Sequence, residues 1–283
     1  MRIIDHMNQK TRYDSRWQTL VHDKLGLPYV LHVSLRQRPK KSKATVVFLH
    51  GIGNNGQAWK QVTEKLPENV RVISVDLLGH GASPKPQNAT YDVHLQAKAV
   101  IATLLHQRSM GRVILVGHSM GSLVAIEVAK RYPKLVKSLV LCSPPLYERD
   151  SDTKLPRRER SLKKFYNYLR DHPDQLPTLA KHARRYNIMN ETFVVDEQTV
   201  KPFLGALESS ILNQTALQDA KKLKMPFVII HGRFDPLVLK TYHKQVVADN
   251  PAGEFTEIAA HHDVRGRNYI KTVVQHINRQ LPN

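Results

Sequence analysis

Ser119 stands between two glycines in the run Gly117-His118-Ser119-Met120-Gly121. A strand-like stretch, Val113-Ile114-Leu115-Val116, precedes the run, and a helix-like stretch, Ser122 to Arg131, follows it. A strand-to-helix turn sharp enough to lift a serine into unfavourable dihedrals needs neighbours without side-chain bulk, so the glycines and their context point to a serine nucleophile. The helix N-terminus behind Ser119 favours negative charge developing beside it.

A serine hydroxyl is a weak nucleophile, so an imidazole must take its proton and a carboxylate must orient that imidazole. The chain supplies both downstream. Asp235 follows the strand-like run Phe227-Val228-Ile229-Ile230-His231, and His261-His262 follows the last strand candidate, giving the order Ser, Asp, His. Acyl transfer also develops an oxyanion that needs aimed backbone donors. The amide of Met120, next to the nucleophile, is one. The glycine-rich segment His50-Gly51-Ile52-Gly53-Asn54-Asn55-Gly56 offers a second, with Ile52 the expected donor. No spaced cluster of His, Asp or Cys reads as a metal site, and the chemistry calls for no cofactor.

These groups must be held by an ordered frame. Short runs rich in Val and Ile alternate with longer amphipathic stretches, as expected for parallel strands covered by helices on both faces. The strand candidates are Ala44 to Leu49, Val70 to Val75, Arg112 to Val116, Ser138 to Cys142, Phe227 to His231 and Glu254 to Ile258. Helices are expected over Gln57 to Leu66, Val93 to His106, Ser119 to Arg131, Leu239 to Ala248 and Asn268 to Gln280. Upstream, Trp17 to Leu25 and Tyr29 to Arg36 flank Gly26-Leu27-Pro28 and suit an antiparallel hairpin. The alternation stops after Ser143-Pro144-Pro145 and resumes near Met225-Pro226. The intervening stretch has helix-like patterns but no convincing strand and reads as a helical cap. Leu162, Phe165, Tyr166 and Leu169 would line one helix face there, and Phe203, Leu204, Leu207 and Ile211 another. Tyr147, Phe165 and Tyr168 hint at an apolar entrance. The expected domains are therefore a core in two parts, 1–145 and 217–283, interrupted by a cap insertion at 146–216.

With 283 residues and 41% apolar content, the chain can bury a large core. No run of apolar residues reaches signal-peptide or membrane-span length, so the expectation is a cytoplasmic protein. The single cysteine, Cys142, lies in an apolar strand-like run and reads as structural. The net charge of +19 favours anionic surfaces, and Arg157 to Lys164 is a local basic cluster that could touch nucleic acid or an anionic membrane. Most such clusters are solvated helix faces, and no nucleic-acid motif accompanies this one, so neither contact is expected to be the main function.

Together with Asp76-Leu77-Leu78-Gly79-His80-Gly81-Ala82-Ser83, the segments His50-Gly51, Gly117 to Gly121 and Gly232 to Asp235 resemble the α/β-hydrolase superfamily. The resemblance runs from about Thr45 to the C-terminus and is weakest between Pro145 and Met225. It implies an eight-stranded, mostly parallel sheet flanked by helices, with a helical cap after the sixth strand. It also implies Ser119 as nucleophile, Asp235 as triad acid and a C-terminal histidine as base. Counting from Ile258, His262 is closer to the family's strand-to-histidine spacing, whereas His261 has the small residue Ala260 before it. His262 is preferred and His261 is the alternative. The same resemblance gives Asp76 a loop-stabilising role, while His80 and His118 read as groups that hold backbone or line the pocket.

The parts fit hydrolysis of a carboxylic ester of a small or medium apolar substrate through an acyl-enzyme. Another bond on the same scaffold, such as a lactone, an amide or a carbon–carbon bond, is the alternative within enzymes. Dehalogenases and epoxide hydrolases of this resemblance carry aspartate where Ser119 stands, which disfavours both. A ligand sensor with little turnover is the alternative outside enzymes.

Overall fold

The computed structural model describes residue 22 and residues 25–109, 111–148, 157–186 and 188–282. Its frame is one sheet whose strands are β1 (Val33–Gln37), β2 (Ala44–Leu49), β3 (Val70–Val75), β4 (Val113–His118), β5 (Val136–Cys142), β6 (Phe227–Gly232) and β7 (Gly253–Ile258). The strand order is β1-β3-β2-β4-β5-β6-β7, parallel throughout except for β1, which pairs antiparallel with β3.

The run of β-branched and apolar residues in each central strand is explained by burial on both faces, since side chains alternate across a sheet. Val47, Leu49, Leu115, Leu139, Leu141 and Ile229 enter the core on one face. Val46, Phe48, Ile114, Val116, Val140 and Ile230 enter a second core on the other. The first face is covered by α2 (Val93–His106), α3 (Met120–Arg131) and α8 (Lys240–Asp249). The second is covered by α1 (Lys60–Thr63) and α9 (Arg267–Gln280). In α9 Ile270, Val273 and Ile277 are buried, and Val274 is partly buried against the same core.

Between β5 and β6 the described residues form no strand; their helices are α4 (Arg157–Asp171), a 3-10 turn at Pro173–Gln175, α5 (Leu176–Arg185), α6 (Val200–Ala206), a π-helical turn at Leu207–Leu212 and α7 (Ala216–Ala220). Leu162, Tyr166, Phe203, Leu207 and Ile211 are buried, with Leu169 and Leu204 packed against the core.

Two expectations need correction. Phe165 is 45% exposed instead of sharing the buried stripe with Leu162 and Tyr166. The helix expected over Gln57 to Leu66 is a 3-10 turn, Gly56–Trp59, that continues into α1 and ends at Thr63. The described residues supply seven strands of the eight that the resemblance implies, and residues 1–21 lie outside them. The first arm of the expected hairpin, Trp17 to Leu25, lies almost wholly outside the described residues, and the strand in the second arm pairs with β3.

Candidate active site

At the exit of β4 the chain turns into α3 within one residue, and that residue is Ser119. Its dihedrals, φ 51° and ψ −122°, lie in a region that a side chain rarely adopts. The surroundings enforce it. The Ser119 N–H donates to the Cys142 carbonyl on β5 at 2.9 Å, and the Ser122 N–H donates back to the Ser119 carbonyl at 2.9 Å. The flanking glycines are steric requirements: a Cβ on Gly117 would lie 2.6 Å from Ser122 Cα, and one on Gly121 would lie 2.6 Å from the His50 carbonyl oxygen.

The loop after β2 packs directly against this turn. A Cβ on Gly51 would lie 3.2 Å from Ser119 Cβ and 2.9 Å from His118 Nδ1. The loop that carries the half-buried Ile52 therefore lies against the turn that carries Ser119 and, at the start of α3, the fully buried Met120. His50 stiffens that loop. Its Nε2 accepts from the Leu77 N–H at 2.8 Å, so Nδ1 carries the proton and donates to the Gly51 carbonyl at 2.8 Å.

Asp235 follows β6 and is fully buried; His262 follows β7 and is 8% exposed. His262 Nδ1 donates to Asp235 Oδ2 at 2.8 Å. His261 instead is exposed and packs against the Phe234 ring at 5.8 Å, away from Asp235. The loops after β6 and β7 approach so closely that a Cβ on Gly232 would lie 2.6 Å from the Ala260 carbonyl oxygen. His262 is tied to the Ser119 turn through its neighbour: His118 Nε2 donates to the His262 carbonyl at 2.9 Å, and the two rings are 4.9 Å apart.

Electrostatics sort these groups. Burial alone pushes the Asp235 carboxyl up. The His262 charge and hydrogen bond, the Leu237 N–H and the Ser143 hydroxyl outweigh it and bring the group down to about 2. Burial likewise opposes charge on His262, but Asp235 and then Asp263 raise its pKa above the ordinary value. His118 is depressed to about 3 by burial and by the neighbouring His262, and His80 to about 3 by burial and by His50, so both are neutral near pH 7. Asp76 acts within its loop: its carboxylate accepts from the Gly56 N–H at 2.7 Å, the Ala82 N–H at 2.8 Å and the Ser34 hydroxyl.

Three contributors are not legible in the motifs. Ser143, at the exit of β5, has φ 46° and bonds Asp235; its hydroxyl also lies 3.1 Å from the Tyr269 hydroxyl of α9. Arg158, from the basic cluster, donates to the Asp235 backbone carbonyl. Asn190 to Val194, between α5 and α6, bonds the loops that carry Ile52 and His262. The only sequence sign of Ser143 is its place at a strand exit, and Asn190 to Val194 shows none. Among the described residues no group of three or more His, Cys, Asp or Glu is placed to hold a metal ion, and no helix is long and apolar enough to cross a membrane.

A family model described as serine aminopeptidase, S33, matches residues 40–261. Among curated proteins, the chain is 32% identical over 114 residues to a probable lysophospholipase, BODYGUARD 2, of Arabidopsis thaliana, covering 38% of the chain and 24% of that protein. It is 34% identical over 115 residues to lipase LipV of Mycobacterium tuberculosis, covering 41% of the chain and 42% of that protein. The matched region thus spans about a quarter of the length of the plant relative. Among solved structures, the enol-lactonase of Burkholderia xenovorans LB400 superposes with a TM-score of 0.68 at 18% identity, covering 89% of this chain and 99% of that one. At such identity the likeness speaks to the fold.

Proposed function

The chain belongs to the serine aminopeptidase S33 family of α/β hydrolases, and on that footing we propose that it is a serine hydrolase cleaving a carboxylic ester of a small or medium apolar substrate. The observation that carries this reading is the His262–Asp235 hydrogen bond of 2.8 Å, buried beside a serine held in a strained strand-to-helix turn.

In the proposed cycle the Ser119 hydroxyl attacks the acyl carbon while its proton passes to His262, which Asp235 keeps in the tautomer with the proton on Nδ1. The Ile52 and Met120 amides stabilise the oxyanion that forms. His262 returns its proton to the departing alcohol. It then deprotonates water, which attacks the acyl-enzyme and releases the acid and Ser119. The raised pKa of His262 suits this shuttle, because a stronger base takes the hydroxyl proton more readily. The three buried neutral histidines nearby, His50, His80 and His118, add no competing positive charge. We assign residues 146–216 as a cap over the site that chooses the substrate. Tyr147 and Tyr166 both hydrogen-bond the Leu237 carbonyl, two residues from Asp235, which anchors that segment beside the triad.

The test is turnover of short p-nitrophenyl esters, alongside lactones and diketones. Ser119→Ala should keep its fold and lose ester turnover by about 10³-fold or more. Unchanged hydrolysis in that variant would overturn the assignment, and parent activity confined to lactones or diketones would move it to another bond.

A further inference from the structure

The proposed cycle uses Asp235 and leaves a second carboxylate beside the base unused. Asp263 follows His262 directly and is 3% exposed. Its Oδ2 accepts from the Asn190 N–H at 2.7 Å, while Oδ1 is buried with no hydrogen-bond partner among the described residues. A carboxylate this deeply buried is costly to keep unless its bond to Asn190 does something for the molecule.

What it holds is a crossing. Asn190 opens a short stretch that leads from the base loop to the oxyanion loop. Asn190 Oδ1 accepts from the Thr192 N–H at 3.0 Å and the Thr192 hydroxyl at 2.6 Å, which makes the stretch a closed local turn. At its far end the same Thr192 hydroxyl shares its one proton with Asn54 Oδ1, 2.8 Å away, and the Val194 N–H donates to the Gly53 carbonyl at 2.7 Å. The Phe193 ring fills the space a Cβ on Gly53 would need, and Gly53 has φ 73°, so the oxyanion loop is shaped to receive this stretch. The loops bearing Ile52 and His262 come from opposite sides of β4 in the sheet, and Asn190 to Val194 spans the gap between them.

We propose that Asp263 is a positioning residue that anchors Asn190–Val194 as a strap, fixing the spacing between the base loop and the oxyanion loop around Ser119. The proposal rests on His262 being the base and Ile52 an oxyanion donor. The carboxylate also acts on His262 through its charge: His262 faces Asp235, Asp263 and His118, and Asp263 in turn faces His262, Arg265 and Asp235. Asp263 and Asp235 favour the charged imidazole, so removing one negative charge makes His262 a weaker base. The strap and the charge are separable. Asparagine keeps an acceptor oxygen for the Asn190 N–H and removes the charge; alanine removes both.

The experiment compares Asp263→Asn, Asp263→Ala and Thr192→Val by two readouts: hydrogen exchange of the Asn190–Val194 amides, and the pH dependence of kcat and KM on a p-nitrophenyl ester. Asp263→Ala should exchange the strap amides about tenfold faster and lower kcat by up to about 10²-fold, the size expected when catalytic groups lose their spacing by about 1 Å. Asp263→Asn should keep parent-like strap exchange and move the acid limb of kcat/KM to lower pH. Thr192→Val should speed exchange and lower kcat without moving that limb. Unchanged strap exchange in Asp263→Ala, or an unmoved acid limb in Asp263→Asn, would overturn the proposal. If Asp263→Ala does not fold, the other two variants decide. An inactive parent would sink the proposed function alone, since exchange reads the strap without turnover.

Discussion

Replacing Gly121 by alanine sets two physical effects against each other. Gly121 is the second residue of α3, where alanine would gain at most about 1 kcal/mol of helix propensity. The added Cβ would meet backbone, lying 2.6 Å from the His50 carbonyl oxygen and closer still to that of Leu49. Those carbonyls belong to the end of β2 and the loop that follows it, and β2 is hydrogen-bonded to β3 and β4 on its two sides. They cannot swing aside like a side-chain tip. Overpacking of this kind costs about 3 kcal/mol, so the net loss should be about 2 kcal/mol. For a chain of this size that lowers Tm by about 4–8 °C. The assay is a thermal melt beside Ser119→Ala, which changes the same turn without adding bulk, with fluorophosphonate labelling of Ser119 as a second readout. A Gly121→Ala protein that melts at or above the parent temperature and labels at the parent rate would refute the steric reasoning for the turn.

Asp235→Asn should leave the fold intact and lower kcat about 10⁴-fold, because an amide in place of the carboxylate no longer fixes the Nδ1–H tautomer of His262; a loss under tenfold would remove Asp235 from the triad. Acid should destabilise the protein before its carboxylates titrate. His80 and His118 are held near 3 when folded against 6.5 when unfolded, so the unfolded chain binds more protons between those values and stability falls as pH drops through about 6.5. His262 has the opposite sign, adding stability below its unfolded pKa that is lost as pH rises through its raised folded value, and this offsets part of their contribution. Asp235, at about 2 against 3.8, adds about 2 kcal/mol that is lost only as pH falls from about 4 towards 2. Urea midpoints should therefore decline from about pH 7 to about pH 5, less steeply in His118→Gln; a flat profile over that window would contradict the buried neutral histidines.

The parts of the fold that the residues announce are those where one local rule decides. β2 and β3 begin and end where their apolar runs do, and α2 spans Val93 to His106 with Asp92 capping it, because burial on both faces and a capping carboxylate act locally. Ser119 was legible for the same reason, since its two glycines answer contacts made within and beside one turn. The choice between His261 and His262 was not legible. It depends on how the chain leaves β7 towards Asp235, which no spacing from Ile258 determines. Phe165 shows the limit of periodicity: it sits one position from the buried Tyr166, and helical spacing alone cannot say how wide the covered stripe is. Asn190–Val194 and Ser143 act through backbone amides, two hydroxyls and one side-chain amide, and such contacts leave no pattern in residue type.

Cys142 has a use that its strand position does not suggest. It is the chain's single cysteine, it is wholly buried in β5, and burial pushes its thiol pKa far above the usual value. A thiol reagent added to the folded protein therefore meets no reactive partner. A cysteine placed at Tyr186 or Ile188, which are 69% and 66% exposed, would take a fluorophore or spin label alone, without removal of any native thiol. Left in place, Cys142 is also an internal clock: its labelling rate counts how often the centre of the sheet opens, directly beneath Ser119.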